Sequence, residues 1–272
     1  CGASYHGDGN VGSNERVGVS IPGITVGKPM TYNAGTGGDT SSFEQSFSNK
    51  AIPVAKISDM LLNPGKIIDY NGTKVEFADI KLIYWAGGNP MHHHQDRNKM
   101  LKAWQKPEVI INQDPYWTAS SRMADIVLPA CTEIERDDIS VVGSESKTGL
   151  IALKKGIEPV GESKADYDIF ADLAAKFGRR DLFTEGRDAK GWAKYFYEQA
   201  VEQAVAKDIE LPKFEEFWEK GYYEFTKMEK GGDDYVAFKE FVEDPIENQL
   251  GTPSGRIEIF SKKVASYGYD DC

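Results

Sequence analysis

Three short apolar runs, each closed by turn residues, constrain this chain more than any other feature. They lie between Ile80 and Asp138. The first is Ile80-Lys81-Leu82-Ile83-Tyr84-Trp85, the second Val109-Ile110-Ile111 and the third Ile126-Val127-Leu128. Ala86-Gly87-Gly88-Asn89-Pro90 follows the first, Asn112-Gln113-Asp114-Pro115 the second and Pro129 the third. β-Branched runs bounded by Gly, Pro and Asn read as buried strands. Between the first two, Met100, Leu101 and Trp104 recur at helical spacing. Strand, turn, helix, strand within about 30 residues is a βαβ unit, and its strands must be parallel. The expected fold is α/β, Rossmann-like, with a mostly parallel sheet and helices on both faces.

Such sheets bind ligands at the carboxyl ends of their strands. Gly87, Gly88 and Asn89 stand at one such end, and Gln113 and Asp114 at the next. Two glycines let backbone approach a ligand closely. A helix starting after them offers free N–H groups to phosphate. An acidic residue ending the second strand can accept from a ribose diol. The pattern points to a nucleotide-like ligand. Yet Gly87-Gly88-Asn89-Pro90 is not GxGxxG, and many such loops carry glycine for the turn alone. Spacing leaves both readings open.

Composition narrows the class. The chain has 272 residues, 40% hydrophobic and 28% charged, enough for one large or two ordinary domains. A formal net charge of -11 argues against a nucleic-acid-binding surface, though not against a local basic pocket. No stretch approaches the roughly 20 apolar residues of a membrane-spanning helix. Cys1, Cys131 and Cys272 are scattered, with no CxxC, so no metal site is expected within the chain. A start at Cys1-Gly2 rather than Met points to a processed product or a piece of something longer.

Residues 1–50 are rich in Gly, Ser, Thr and Asn and read as loop, with a short strand near Val17–Ile21. Val54, Ile57 and Leu61 predict a helix, stopped by Asn63-Pro64-Gly65. Ile67 to Phe77 predicts a hairpin turned at Asn71-Gly72. Beyond the central region, strands are expected at Ile139–Val142 and Leu150–Leu153. Ile169, Leu173 and Phe177 mark a helix closed by Gly178. Trp192, Phe196 and Ala200 mark another; Phe214, Phe217, Trp218 and Tyr222 mark a third. Ile257 to Phe260 reads as a strand.

Each conspicuous side chain carries a plain and a functional reading. His92, His93 and His94 are adjacent, so they point apart and do not readily chelate one ion. His93, four residues after Asn89, can share a ligand with it. Asp114 either caps the turn before Pro115 or binds ligand. Arg136, between Glu135 and Asp137, is a local ion pair or a phosphate clamp. Asp166 belongs to a capping-box-like pair with Ser163, or its carboxylate accepts two N–H groups of guanine. Cys131 is a small loop or buried residue rather than a nucleophile.

Taken together the motifs say more than any one. Tyr84-Trp85-Ala86-Gly87-Gly88-Asn89-Pro90, His93-His94-Gln95-Asp96-Arg97-Asn98, Pro115-Tyr116-Trp117-Thr118, Ala124-Asp125-Ile126-Val127-Leu128-Pro129-Ala130 and Glu135-Arg136-Asp137-Asp138 stand in one order. Asp166-Tyr167-Asp168-Ile169-Phe170, Phe183-Thr184-Glu185-Gly186 and Gly251-Thr252-Pro253-Ser254-Gly255-Arg256 follow. The set resembles the dimethyl sulfoxide reductase family of molybdopterin oxidoreductases. The resemblance implies Mo-bis(molybdopterin guanine dinucleotide) as cofactor, held through one guanine arm by Gly87, Gly88, Asn89, His93, Gln113, Asp114, Arg136 and Asp166. Many relatives have His-Asp where this chain has Gln113-Asp114.

It further implies oxygen-atom transfer from trimethylamine N-oxide or a related N- or S-oxide, a c-type cytochrome as electron donor and a periplasmic location. Metal-ligating and substrate-facing parts of that family have no counterpart here, so no catalytic residue is expected in this chain. It matches the family's third domain over residues 76–272, with 1–75 as an edge of the second. On its own it is expected to be inactive. The alternative is a freestanding nucleotide-binding or interaction module without redox chemistry.

Overall fold

The computed structural model describes residues 52–70, 73–142, 148–226, 236 and 238–268. The expected loop over 1–50, its Val17–Ile21 strand and the Asn71-Gly72 turn lie outside them. Among the described residues, one compact unit comprises those up to Ser140 together with Ala152–Glu198; the other comprises Val141–Ile151 together with those from Gln199 onward.

The first unit is built on a parallel sheet. A helix α1 (Ile57–Leu62) and a hairpin of β1 (Ile67–Tyr70) and β2 (Thr73–Glu76) precede it. The sheet has the order β3 (Leu82–Ala86), β4 (Val109–Asp114), β5 (Ile126–Pro129), all parallel. Tyr84 lies opposite Ile111 and Ala86 opposite Gln113, while Gln113 and Asp114 face Leu128 and Pro129. The fold is therefore α/β, with the three apolar runs as its strands. They are not equally buried. On β4, Ile110, Asn112, Gln113 and Asp114 are buried, whereas Leu82 on β3 and Ile126 on β5 are half exposed. A central strand is covered by both neighbours; an edge strand is not.

Between β3 and β4 run α2 (Pro90–His93) and α3 (Arg97–Ala103). Asp96 caps α3, its Oδ1 accepting the Lys99 N–H at 3.1 Å. Met91, Met100, Trp104 and Ile110 form the buried cluster that packs this crossover on the sheet. Full burial of such a side chain contributes about 2 kcal/mol. Ser58 on α1 donates to Met100 Sδ, and Lys99 pairs with Asp59. That pairing, ahead of the opposing effect of burial, holds the Asp59 carboxyl below its ordinary range.

After β5 the chain makes β6 (Asp138–Val142) and β7 (Gly149–Leu153), close to the predicted bounds. It returns to the sheet at Lys164, which bridges Ala130 in parallel fashion. Lys164 N–H donates to Pro129 O, and Cys131 N–H to Lys164 O. From there α4 (Asp166–Lys176) departs, followed by α5 (Arg180–Thr184) and α6 (Ala189–Val205). Only Ala171 of α4 is fully buried; Phe177, expected on its packed face, is 74% exposed.

In the second unit α7 (Phe214–Lys220) buries Phe214, Phe217 and Trp218 and ends at Gly221, φ 92°. The left-handed turn there suits glycine. It leads into β8 (Tyr222–Glu224), antiparallel to β7. Tyr222 thus lies on a strand, not in the helix its spacing suggested. Farther on come α8 (Lys239–Glu243) and α9 (Lys262–Ala265). Ile257–Phe260 is no strand. Thr252 Oγ1 donates to Arg256 O, and Ser254 N–H to Glu258 Oε1. These local bonds curl the segment, and Ile259 is fully exposed.

Candidate functional site

The carboxyl ends of β3 and β4 bring the first site residues together. Gly87 N–H donates to Gln113 O at 2.9 Å, closing the turn after β3 onto the end of β4. Gly87 and Gly88 adopt φ 71° and 76°, a region only glycine enters without strain. A Cβ on Gly88 would lie 3.3 Å from Trp85 Nε1 and 3.7 Å from His93 Nε2. Asn89 N–H donates to His93 Nε2 at 3.1 Å, so His93 folds back over the turn. Asn89 Oδ1 accepts from Ser120 Oγ at 2.7 Å. Its amide nitrogen is thereby left pointing away from Ser120. His94 packs edge-on to Trp85; burial, then the neighbouring His93, lowers its pKa.

The expected phosphate-binding helix start is absent. The helix after the turn, α2, has four residues and opens with Pro90, which has no N–H. Met91 N–H is taken by Ser120 Oγ, and those of His92 and His93 by Asn89 O. The remaining backbone donor there is Gly88.

Gln113 and Asp166 meet. Gln113 Nε2 donates to Asp166 Oδ1, and Tyr84 Oη donates to Gln113 Oε1. Gln113 is 1% exposed and Asp166 partly exposed. Asp166 is the first residue of α4, whose N-cap is Ala165 with no side-chain bond. The capping pair with Ser163 does not form: Ser163 Oγ donates to Val160 O at 2.9 Å. Asp166 stands where it does because the Lys164–Ala130 bridge extends the sheet edge beyond β5.

Asp114 is buried, and its Oδ1 accepts the Tyr116 N–H at 2.8 Å, the turn-capping role. Arg136 pairs through Nη1 with Asp138, and its buried Nε has no partner. Glu135 is not its partner. Glu135 Oε2 accepts both N–H and Oγ1–H of Thr132 in a capping box, and Oε1 accepts the Val160 N–H at 2.7 Å. The Thr132 and Val160 bonds hold its carboxyl below the ordinary range. Thr132 followed three residues later by Glu135 is the S/T-x-x-E signature that sequence reading passed over. Tyr84 was missed as well, hidden in an apolar strand. Cys131 is buried, which raises its pKa, against a weak bond with Ser163. Among the described residues no three His, Cys, Asp or Glu side chains gather as a metal site.

Polar groups gathered at the carboxyl ends of parallel strands place this chain among α/β proteins of the class whose ligands, where they have them, lie at that rim. The family model described as molybdopterin oxidoreductase matches residues 10–176, more than half the chain, and the chain belongs to that family. Over 271 residues it is 48% identical to the dimethyl sulfoxide/trimethylamine N-oxide reductase of Cereibacter sphaeroides and 47% identical to that of Rhodobacter capsulatus. It is 42% identical to the trimethylamine-N-oxide reductase of Haemophilus influenzae, again over 271 residues. These alignments cover 100% of this chain and 32% of each relative, so the chain spans about a third of their length.

Proposed function

We propose that this chain binds one guanine dinucleotide arm of Mo-bis(molybdopterin guanine dinucleotide) in a reductase of trimethylamine N-oxide or a related N- or S-oxide. The observation that carries the reading is the joining of Gly87, Gln113 and Asp166 at one rim of the parallel sheet. Three further features fit such a group. Gly88 keeps an open backbone donor where a side chain would crowd Trp85. Arg136 has a buried Nε with no partner. Asp166 uses Oδ1 toward Gln113 and keeps Oδ2 available.

When bound, the cofactor supplies molybdenum-based two-electron oxygen-atom transfer. The chain's own part is to bind and orient. Asp166 accepts N–H groups of guanine. Gly88 N–H and the Arg136 guanidinium donate to phosphate oxygens. Asn89 and His93 border the same turn, and Asp114 offers its second oxygen to a ribose hydroxyl. No residue here is assigned a catalytic role. The electron donor is a c-type cytochrome, and the reaction is placed in the periplasm, as the resemblance implies. The remainder of the enzyme is to be supplied by sequence outside this chain.

The test uses the full-length protein that carries this chain. Purified after growth with molybdate, it should reduce trimethylamine N-oxide with a reduced viologen dye and release guanosine monophosphate on acid hydrolysis. Asp166→Ala should lose most of the releasable nucleotide. An active, molybdenum-containing protein that yields no guanine nucleotide would end the proposal.

A further inference from the structure

Gln113 is 1% exposed, so in this conformation no ligand can touch it, although it ends a strand at the candidate site. Both ends of its amide are occupied. Tyr84 Oη donates to Oε1, and Nε2 donates to Asp166 Oδ1. The directions are fixed by chemistry. A carboxylate only accepts, so the amide nitrogen must face Asp166, and the amide oxygen must then face a donor. Tyr84 is that donor. Burial, then the charge of Asp166, raises the phenol's pKa, so it keeps its proton at neutral pH. The Tyr84 ring also lies 5.7 Å from the ring of Phe170, one turn along α4 from Asp166. The tyrosine therefore reaches the helix carrying the carboxylate in two ways, directly through Phe170 and indirectly through the Gln113 amide.

We propose that Tyr84 and Gln113 are positioning residues that set the orientation of the Asp166 carboxylate, and through it selectivity for guanine, without touching the base. The proposal rests on the reading that Asp166 accepts N–H groups of guanine. A carboxylate held through one oxygen has a defined plane, and only a defined plane meets N1–H and the 2-amino group together. Without the tyrosine hydroxyl, Gln113 Oε1 is buried and unpaired. The amide then shifts toward another donor and releases Asp166 to rotate. One N–H contact to the base can survive that rotation; two cannot.

The experiment uses the full-length protein, produced in a host unable to make the pterin cofactor and titrated calorimetrically with guanosine, inosine and adenosine diphosphates. Inosine diphosphate lacks only the 2-amino group. The unaltered protein should bind guanosine diphosphate about tenfold more tightly than inosine diphosphate. Tyr84→Phe should bring that ratio to about twofold or less, and Gln113→Met, of similar shape, should do the same. Thermal unfolding of each variant establishes that it is folded. A ratio unchanged in folded Tyr84→Phe and Gln113→Met, with Asp166→Asn abolishing it, would overturn the relay and leave the guanine reading standing. No preference for guanine in the unaltered protein would overturn the reading beneath it.

Discussion

Gly87 and Gly88 show how two identical residues differ in what they tolerate. Both have positive φ, but a Cβ on Gly87 meets nothing within 4 Å, whereas one on Gly88 meets Trp85 and His93. Gly87→Ala should cost about 1 to 2 kcal/mol, the left-handed strain alone. Gly88→Ala should cost more, because the Trp85 indole must also give way by a few tenths of an ångström. Urea unfolding of both variants checks the order, and equal costs would contradict it. At this scale the sequence was a good guide to backbone and a poorer one to partners. The glycine pair and the Asp114 turn cap were legible because each is set within a few residues. The plain reading of Arg136, beside the phosphate-clamp one, paired it with a flanking neighbour. The residue sits instead in extended backbone, φ -141°, ψ 158°, where residues two apart share a side, and it reaches Asp138.

Among elements, the loop from Thr132 to Glu135 carries a pH signature. The folded pKa of Glu135 is depressed. Its contribution is therefore complete above its unfolded value and is lost as pH falls through the lower folded value. Stability measured by urea should decline with acid below about pH 4.5. Glu135→Gln should be less stable at neutral pH and should flatten that decline; an unchanged slope would show the carboxylate is not involved.

Strand pairing sets a second limit. Gly149 on β7 lies opposite Glu224 on β8, and a Cβ there would come within 2.4 Å of Tyr223 O, a backbone atom. Gly149→Ala should cost roughly 3 kcal/mol or leave the pair unformed. Amide exchange at Phe225, whose N–H donates to Thr148 O, would report the loss. The strands of the parallel sheet were readable because β-branched runs end in Gly, Asn or Pro. The Ile257–Phe260 strand failed because pattern alone does not supply a pairing partner. The phosphate-binding helix start failed because a proline and a serine hydroxyl had already disposed of its donors.

At the level of the whole molecule, a chain spanning about a third of its relatives presents apolar side chains that its own fold leaves uncovered. Ile257, Ile259 and Phe260 are each at least 70% exposed, despite a net charge of -11. Produced alone, the 272-residue chain should bind the dye ANS, and Ile259→Lys with Phe260→Lys should lower the fluorescence. No change would mean the dye reports other surface.

The return of Lys164 to the sheet beside Ala130 has a consequence for how such proteins vary. The chain leaves the sheet edge after Ala130 and is bonded to it again at Lys164. Closing a longer detour costs only ~0.6 kcal/mol for each doubling of length. Away from Arg136 and the Thr132–Glu135 cap, insertions and deletions can accumulate over evolutionary time while the carboxylate two residues downstream of Lys164 stays at its post.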